Sequence, residues 1–316
     1  IDEGLWHLHR TQNRGQYDAG QYDNATILNG WWDNEGGSGG TGRTISITGS
    51  AVQCFMVNSH LELGDVRNDP YVETVTRAMH FMTAHMEALN IGPQTYGDPD
   101  TYGNGKGIEV TSNRVIYEGG PALDAVVSTS SPQTHAITGR AWIKDRTYKD
   151  IATDMSDAFF YGQSDHATIG GGWRYSWNDN PDNSAAQWGA IGLIAAEDVF
   201  DVPVPPWVKE RNDVWLDYSY DDRGGFGYTG RGVGDEEQTP SGMVQLAFID
   251  AVAVDDPATS EDDRDVRWQT TETYIDSRWN EQNYWYENRN DNDRFSYYAY
   301  YAFVKAMHLA YPQAVE

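Results

Sequence analysis

Two kinds of loop in this sequence carry side chains able to do chemistry. The first is rich in glycine and aromatic residues. Gly171-Gly172-Trp173-Arg174-Tyr175 recurs 53 residues later as Gly224-Gly225-Phe226-Gly227-Tyr228. A looser version is Gly30-Trp31-Trp32, and Trp285-Tyr286 is looser still. Trp177, Asp179, Asp182 and Asp235 stand close to these motifs in sequence. Aromatic faces beside carboxylates suit sugar rings, whose apolar faces stack while their hydroxyls find acceptors. The same faces can also meet a cation. The candidate ligand-binding residues are therefore Trp31, Trp32, Trp173, Tyr175, Trp177, Asp179, Asp182, Phe226, Tyr228 and Asp235. The recurring Trp173 and Phe226 also fit a second role, as wedges that pack one repeat on the next while the glycines allow tight turns. The chain holds 48 acidic residues, and their spacing marks no particular pair for acid–base work on a glycan. No catalytic residue is assigned.

The second kind of loop is rich in oxygen ligands. Asp98-Pro99-Asp100-Thr101-Tyr102-Gly103-Asn104-Gly105-Lys106-Gly107-Ile108-Glu109 places acids, a glycine and a final glutamate in the order of an EF-hand loop. Asp98, Asp100, Asn104 and Glu109 are the candidate metal ligands, and calcium is the ion they would take. Tyr102 stands where that loop expects an oxygen ligand, and the plain alternative is a Gly/Asp surface loop. Asn178 to Asn183 is a second loop of this composition, and the eight histidines form no zinc pattern.

The elements that position these loops read as helices. Val72, Val75, Met79, Met82, Met86 and Leu89 keep a helical spacing, as do Tyr148, Ile151, Ala152, Met155 and Phe159. Trp207, Arg211, Val214, Trp215 and Tyr218 form a third stripe after Pro205-Pro206, a suitable helix start. These helices should bury one face. Others, at 185–196, 243–253 and 297–310, are apolar or aromatic nearly all round and should be buried on every side. The segments 51–57 and 122–127 look like shorter relatives. The order is amphipathic helix, loop, buried helix, repeated in five hairpins over 2–64, 70–130, 146–200, 204–254 and 261–311. Such alternation predicts an all-α fold, an α/α toroid of five to six helical hairpins with buried inner helices ringed by outer amphipathic ones. A linear solenoid is the competing arrangement. No Pro/Ser-rich linker or charge run splits the chain, so residues 1–316 are read as one domain.

These residues resemble the prenyltransferase/squalene-cyclase repeat superfamily. The resemblance rests on the paired Gly-Gly-aromatic loops and on the helix starts that follow them, Asn183 to Gln187 and Thr239 to Gln245. Val202-Pro203-Val204-Pro205-Pro206 before an outer helix adds to it, and Leu5-Trp6-His7-Leu8 with Thr11-Gln12-Asn13 does so more loosely. It implies the α/α toroid, and it does not carry the chemistry. No Asp-x-Asp-Asp acid motif of the terpenoid cyclases is present, and no Cys-Gly-Glu-Gln thioester motif. The single cysteine, Cys54, has no Asp two residues before it, as a zinc prenyltransferase would. Fold does not imply function.

Composition narrows the partners. The net charge is −26, from 32 Asp and 16 Glu against 17 Arg and only five Lys. Such a chain repels phosphate backbones and anionic lipid. The 12 Trp and 20 Tyr exclude a disordered acidic tail. No stretch is long and apolar enough to cross a bilayer. Asp-rich, Lys-poor surfaces suit high salt, where repulsion is screened. The expected protein is an extracellular or cell-surface domain, mature after signal removal and from a saline setting. It is expected to be non-catalytic, with a structural, assembly or ligand-binding role toward other surface proteins or glycans, alone or as a homo-oligomer. One alternative is a carbohydrate-active enzyme, a polysaccharide lyase or glycosidase, on the same toroid. Another is a terpenoid cyclase-like enzyme lacking its acid motif.

Overall fold

A computed structural model describes residues 1–22, 25–33, 43–232, 237–252, 264–279, 286–287 and 294–310. The described chain is mainly helical. Its helices are α1 (Asp2–Thr11), α2 (Thr44–Met56), α3 (Val72–Ala84), α4 (Val115–Ser128), α5 (Tyr148–Gly162), α6 (Asn183–Phe200), α7 (Pro206–Ser219), α8 (Gln238–Phe248), α9 (Val266–Arg278) and α10 (Tyr297–Leu309). Each expected hairpin holds two of them in order. Four antiparallel two-stranded ribbons interrupt the series: β1 (Asn13–Tyr17) with β2 (Ile27–Trp31), β3 (Met86–Asn90) with β4 (Lys106–Val110), β5 (Tyr220–Asp221) with β6 (Gly225–Phe226), and β7 (Tyr286–Glu287) with β8 (Arg294–Phe295). No helix is long and apolar enough to cross a membrane among the described residues.

The residues fall into two compact units. The first comprises Ile1–Gly162 and Gly192–Val204, the second Gln163–Ile191 and Pro205–Glu316. In the first unit α2 packs on α4 and α4 on α5. The α2–α4 approach is close: a Cβ on Gly49 would lie 2.7 Å from the Pro121 carbonyl oxygen. The α6 end of that unit also comes close to α4, a Cβ on Gly192 falling 3.0 Å from the Gly120 carbonyl. Only glycine allows backbones to come together in this way. The core of this unit includes Phe55, Met79, Met82, Ile116, Leu123, Ile151 and Phe160, all fully buried. In the second unit α8 packs on α10, and α7 and α9 also pack on α8. Trp173, Trp215, Phe226, Phe248 and Trp268 form its aromatic core.

Three elements differ from the reading of the sequence. The helical stripe from Val72 stops at Ala84, and Met86 to Asn90 form a strand paired with Lys106 to Val110. Alternate burial along the strand hides Met86 as well as a helix would. Helix α5 was expected to bury one face and is buried nearly all round, including Asp154, Ser156 and Asp157. The loop between β3 and β4 covers its polar side, as described below. Helix α10 was expected to be buried on every side. Instead Tyr297 is 80% exposed, and Tyr300 and Tyr301 also reach solvent. Tyrosine supplies apolar area without requiring burial, because its hydroxyl prefers water.

Candidate functional site

The two glycine–aromatic repeats have one geometry. Gly171 and Gly224 sit at φ +99° and +101°, a left-handed conformation that favours glycine. Each lies against the backbone of a later helix. A Cβ on Gly171 would fall 1.7 Å from the Arg211 carbonyl of α7, and one on Gly224 would fall 2.6 Å from the Thr270 carbonyl of α9. The aromatic residue that follows is driven inward, and Trp173 and Phe226 are fully buried. Trp173 meets Phe248 edge-on, and Phe226 lies against Gly242. The looser repeat behaves alike. Trp32 is buried, its backbone N–H donates to the Thr48 hydroxyl at 3.1 Å, and its indole donates to the Leu8 carbonyl at 2.9 Å. Phe226 makes the equivalent bond, its N–H donating to the Thr239 hydroxyl at 3.3 Å. These three aromatics are buried among neighbouring segments, as wedges would be.

A buried polar network locks the second unit behind the wedges. The Asn183 side-chain oxygen Oδ1 accepts from the Trp215 indole and from the Gln245 amide, both at 2.8 Å. Gln245 in turn accepts from Asn212 at 3.1 Å. Asn183 also donates to the Gly227 carbonyl at 2.7 Å, which ties α6 to the second glycine loop. The early glutamine of α8 was legible in sequence, and its role as a network hub required the fold.

The residues after the wedges reach the surface and come together. The Tyr175 and Tyr228 hydroxyls lie 3.3 Å apart, one from each repeat. Beneath them is Asp182, fully buried. One of its carboxylate oxygens caps α6 by accepting from the Ala185 N–H at 2.6 Å, and the other faces the Arg174 guanidinium at 3.4 Å. Arg174 also lies over the Tyr175 ring. Burial pushes the Asp182 carboxyl up, opposed by the Ala185 amide, the Tyr228 hydroxyl and Arg174. Burial, the Tyr175 hydroxyl and the charge of Asp182 raise the Tyr228 phenol. The result is a tyrosine pair, partly open to solvent, over an anchored carboxyl–guanidinium couple. It has hydrogen-bond donors, acceptors and flat apolar faces at one place.

Three of the ten candidate ligand residues therefore form this cluster: Tyr175, Asp182 and Tyr228. Trp177 is half-buried nearby in sequence, and Asp179 is exposed, its carboxylate accepting from Asn180. Trp31 lies in the first unit, stacked on Phe81 at 5.5 Å between centroids. Asp235 and Trp285 lie outside the described residues. Arg174 was not singled out in the sequence, although its place between the wedge and Tyr175 could have suggested it.

The EF-hand-like loop uses its oxygens on itself. The Asp100 carboxylate accepts from the backbone N–H groups of Gly103, Asn104 and Gly105 at 2.7–3.1 Å. Asp98 accepts from the Asp100 N–H. The Asn104 amide donates to Asp154 at 3.0 Å, and Glu109 stands on β4 opposite Glu87. Among the described residues no three His, Cys, Asp or Glu side chains group as metal ligands. The loop instead covers α5. Thr101 and the Tyr102 N–H donate to Asp157, and the Tyr102 hydroxyl donates to Asp150. Burial raises the Asp157 carboxyl to about 7. The acids at 150, 154 and 157, one stripe of α5, serve as the dock for this loop.

The chain matches no known protein family, curated protein or solved structure.

Proposed function

We propose that the chain is a non-catalytic, extracytoplasmic repeat domain of the squalene-cyclase-like α/α-toroid type, with a ligand-binding or assembly role at the cell surface. The observation that carries this reading is the Tyr175–Tyr228 pair. Two copies of one motif bury their aromatic wedges and bring the residues two positions later into contact at the surface. That is how repeat proteins commonly divide labour, with the conserved part of each unit used for stacking and the outer residues used for binding. The toroid is supported by the five helix pairs in chain order and by the glycine-mediated approaches of inner helices. The −26 charge supports an extracellular, saline setting.

The enzyme alternatives have less support at this cluster. Glycoside hydrolysis requires two carboxyl groups flanking the bond. The groups acting most strongly on Asp182 are an amide, a phenol and a guanidinium, and one of its oxygens is already spent on the α6 cap.

The test combines a wild-type protein with a Tyr175→Ala/Tyr228→Ala variant. Glycan-array binding and light-scattering mass measure ligand capture and assembly, and polysaccharide and polyprene turnover measures catalysis. We expect no turnover, and loss of binding or of assembly in the double variant with the fold intact. A monomer that turns over either substrate would overturn the reading.

A further inference from the structure

In a chain this acidic, the ten residues from 140 to 149 stand out: Arg140, Lys144, Arg146 and Lys149 against Asp145 alone. With Lys106, this region holds three of the five lysines of the protein. The cations gather at Trp142. Its indole ring lies 5.8 Å from the Lys106 ammonium and 5.6 Å from the Arg146 guanidinium.

Trp142 is held in an unusual state. Its backbone is left-handed, at φ 86°, a conformation that is costly for a bulky residue. The surrounding loop imposes it. Ala136 and Arg146 pair across the loop, as do Asp145 and Ala136, and His135 bridges to Thr147. Ile143 is fully buried as the anchor, against Gly139 at φ +115°. With the next residue pinned inward, Trp142 is turned outward and remains 42% exposed. Its orientation is fixed as well, because the indole N–H donates to the fully buried Asp154 at 3.3 Å. Arg146 braces the same carboxylate at 2.5 Å and also donates to the Trp142 and Asp150 carbonyls. An apolar ring is thus presented to solvent by strain, with its polar atom already satisfied.

The cations differ in what they have left to give. Arg140 pairs with Glu87, Lys144 with Asp145 and Arg146 with Asp154. Besides the Trp142 ring, Lys106 meets the neutral Asn90 amide oxygen, and among the described residues its charge has no carboxylate partner. We propose that Trp142 and Lys106 form a binding site for an acidic sugar, a uronic-acid unit of a glycan, whose apolar face stacks on the indole while its carboxylate pairs with the ammonium. Stacking supplies affinity for a pyranose ring, and the ammonium supplies preference for the charged one. Arg146 is a positioning residue. The acids nearest the ring, Asp154, Asp145 and Glu87, are each paired with a cation, and at about 0.15 M salt the Debye length is about 8 Å, so the more distant acids repel such a ligand little.

This site shares no residue with the Tyr175–Tyr228 cluster, so the two are tested separately. Isothermal titration calorimetry of the full chain with hexagalacturonate and with cellohexaose, at 0.15 M salt, measures both parts. The wild type should bind the acidic hexamer more tightly than the neutral one. Trp142→Ala should weaken both by roughly tenfold. Lys106→Gln should weaken only the acidic one, by about fivefold. Trp142→Gly relieves the left-handed backbone and removes the ring, so it should show the same roughly tenfold loss even if the alanine variant folds poorly. Tyr228→Ala should bind as the wild type does. Absence of binding to either sugar, equal affinity for the two in the wild type, or unchanged affinity after Trp142→Gly would overturn the proposal.

Discussion

Gly171→Ala tests the repeat geometry most directly, because two costs can be separated. The first is conformational. An alanine at φ +99° pays roughly 1–2 kcal/mol for the left-handed backbone. The second is contact. The new Cβ would lie 1.7 Å from the Arg211 carbonyl oxygen, so the loop and α7 must move apart by more than 1 Å. That movement pulls on the bonds Gly171 makes there. Its carbonyl accepts from Gln163 at 2.7 Å and from Asn212 at 3.3 Å, and its N–H donates to the Ser164 carbonyl. Buried polar groups left without partners cost about 1–3 kcal/mol each. The expected total is about 4 kcal/mol. Gly20→Ala is the control, since Gly20 has φ +95° but none of the described residues within 4 Å of its Cβ position. It should cost only the conformational part, about 1 kcal/mol. Thermal and urea unfolding of both variants measures the difference. At about 2 °C per kcal/mol for a chain of this size, the melting temperatures should fall by about 8 °C and about 2 °C. Equal effects of the two substitutions would refute the close approach of loop and helix, and with it the wedge role of the repeat.

Three further outcomes follow. Asp157 has its folded carboxyl at about 7, above the ordinary Asp value of 3.8, so the fold binds its proton more tightly than the unfolded chain does. Its burial therefore costs stability increasingly as pH rises from about 4 to about 7, and Asp157→Asn should gain about 1–2 kcal/mol at pH 8 and nothing at pH 4; a variant no more stable at pH 8 than at pH 4, relative to wild type, would count against it. The −26 charge predicts that melting temperature rises by several degrees between about 0.1 and 1 M NaCl, as self-repulsion is screened, and a flat salt profile by scanning fluorimetry would contradict this. Asp100 is filled by three backbone N–H groups, so millimolar calcium should leave the melting temperature unchanged, while a clear rise that Asp100→Ala abolishes would restore the EF-hand reading.

Much of the helical order was legible from side-chain spacing. The stripes at Tyr148 to Phe159 and Trp207 to Tyr218 became α5 and α7, and the apolar runs became parts of α2, α4, α6, α8 and α10. The failures share a cause. Met86 and Leu89 continue a helical period by type, but pairing with Lys106 to Val110 turned them into a strand, and that partner lies some 20 residues away. The polar stripe of α5 read as a solvent face because nothing local announces the loop that covers it. At the site, Tyr175, Asp182 and Tyr228 were chosen by type and neighbourhood, and they do meet. Trp32, Trp173 and Phe226 were chosen on the same grounds and are buried. Period and composition cannot tell a wedge from a platform, because both need a large aromatic residue.

The sequence by itself determined the helix pairs, the two glycine–aromatic repeats and the strongly acidic surface, since each depends on residue type and on spacing within one segment. Only the tertiary structure decided which aromatic residues face inward, which acids are consumed by loops and caps, and that a strained tryptophan is held outward beside Lys106. Those outcomes depend on backbone approaches and hydrogen bonds between segments distant in the chain, such as Gly171 with Arg211 and Trp142 with Asp154 and Lys106, and local pattern carries no record of them.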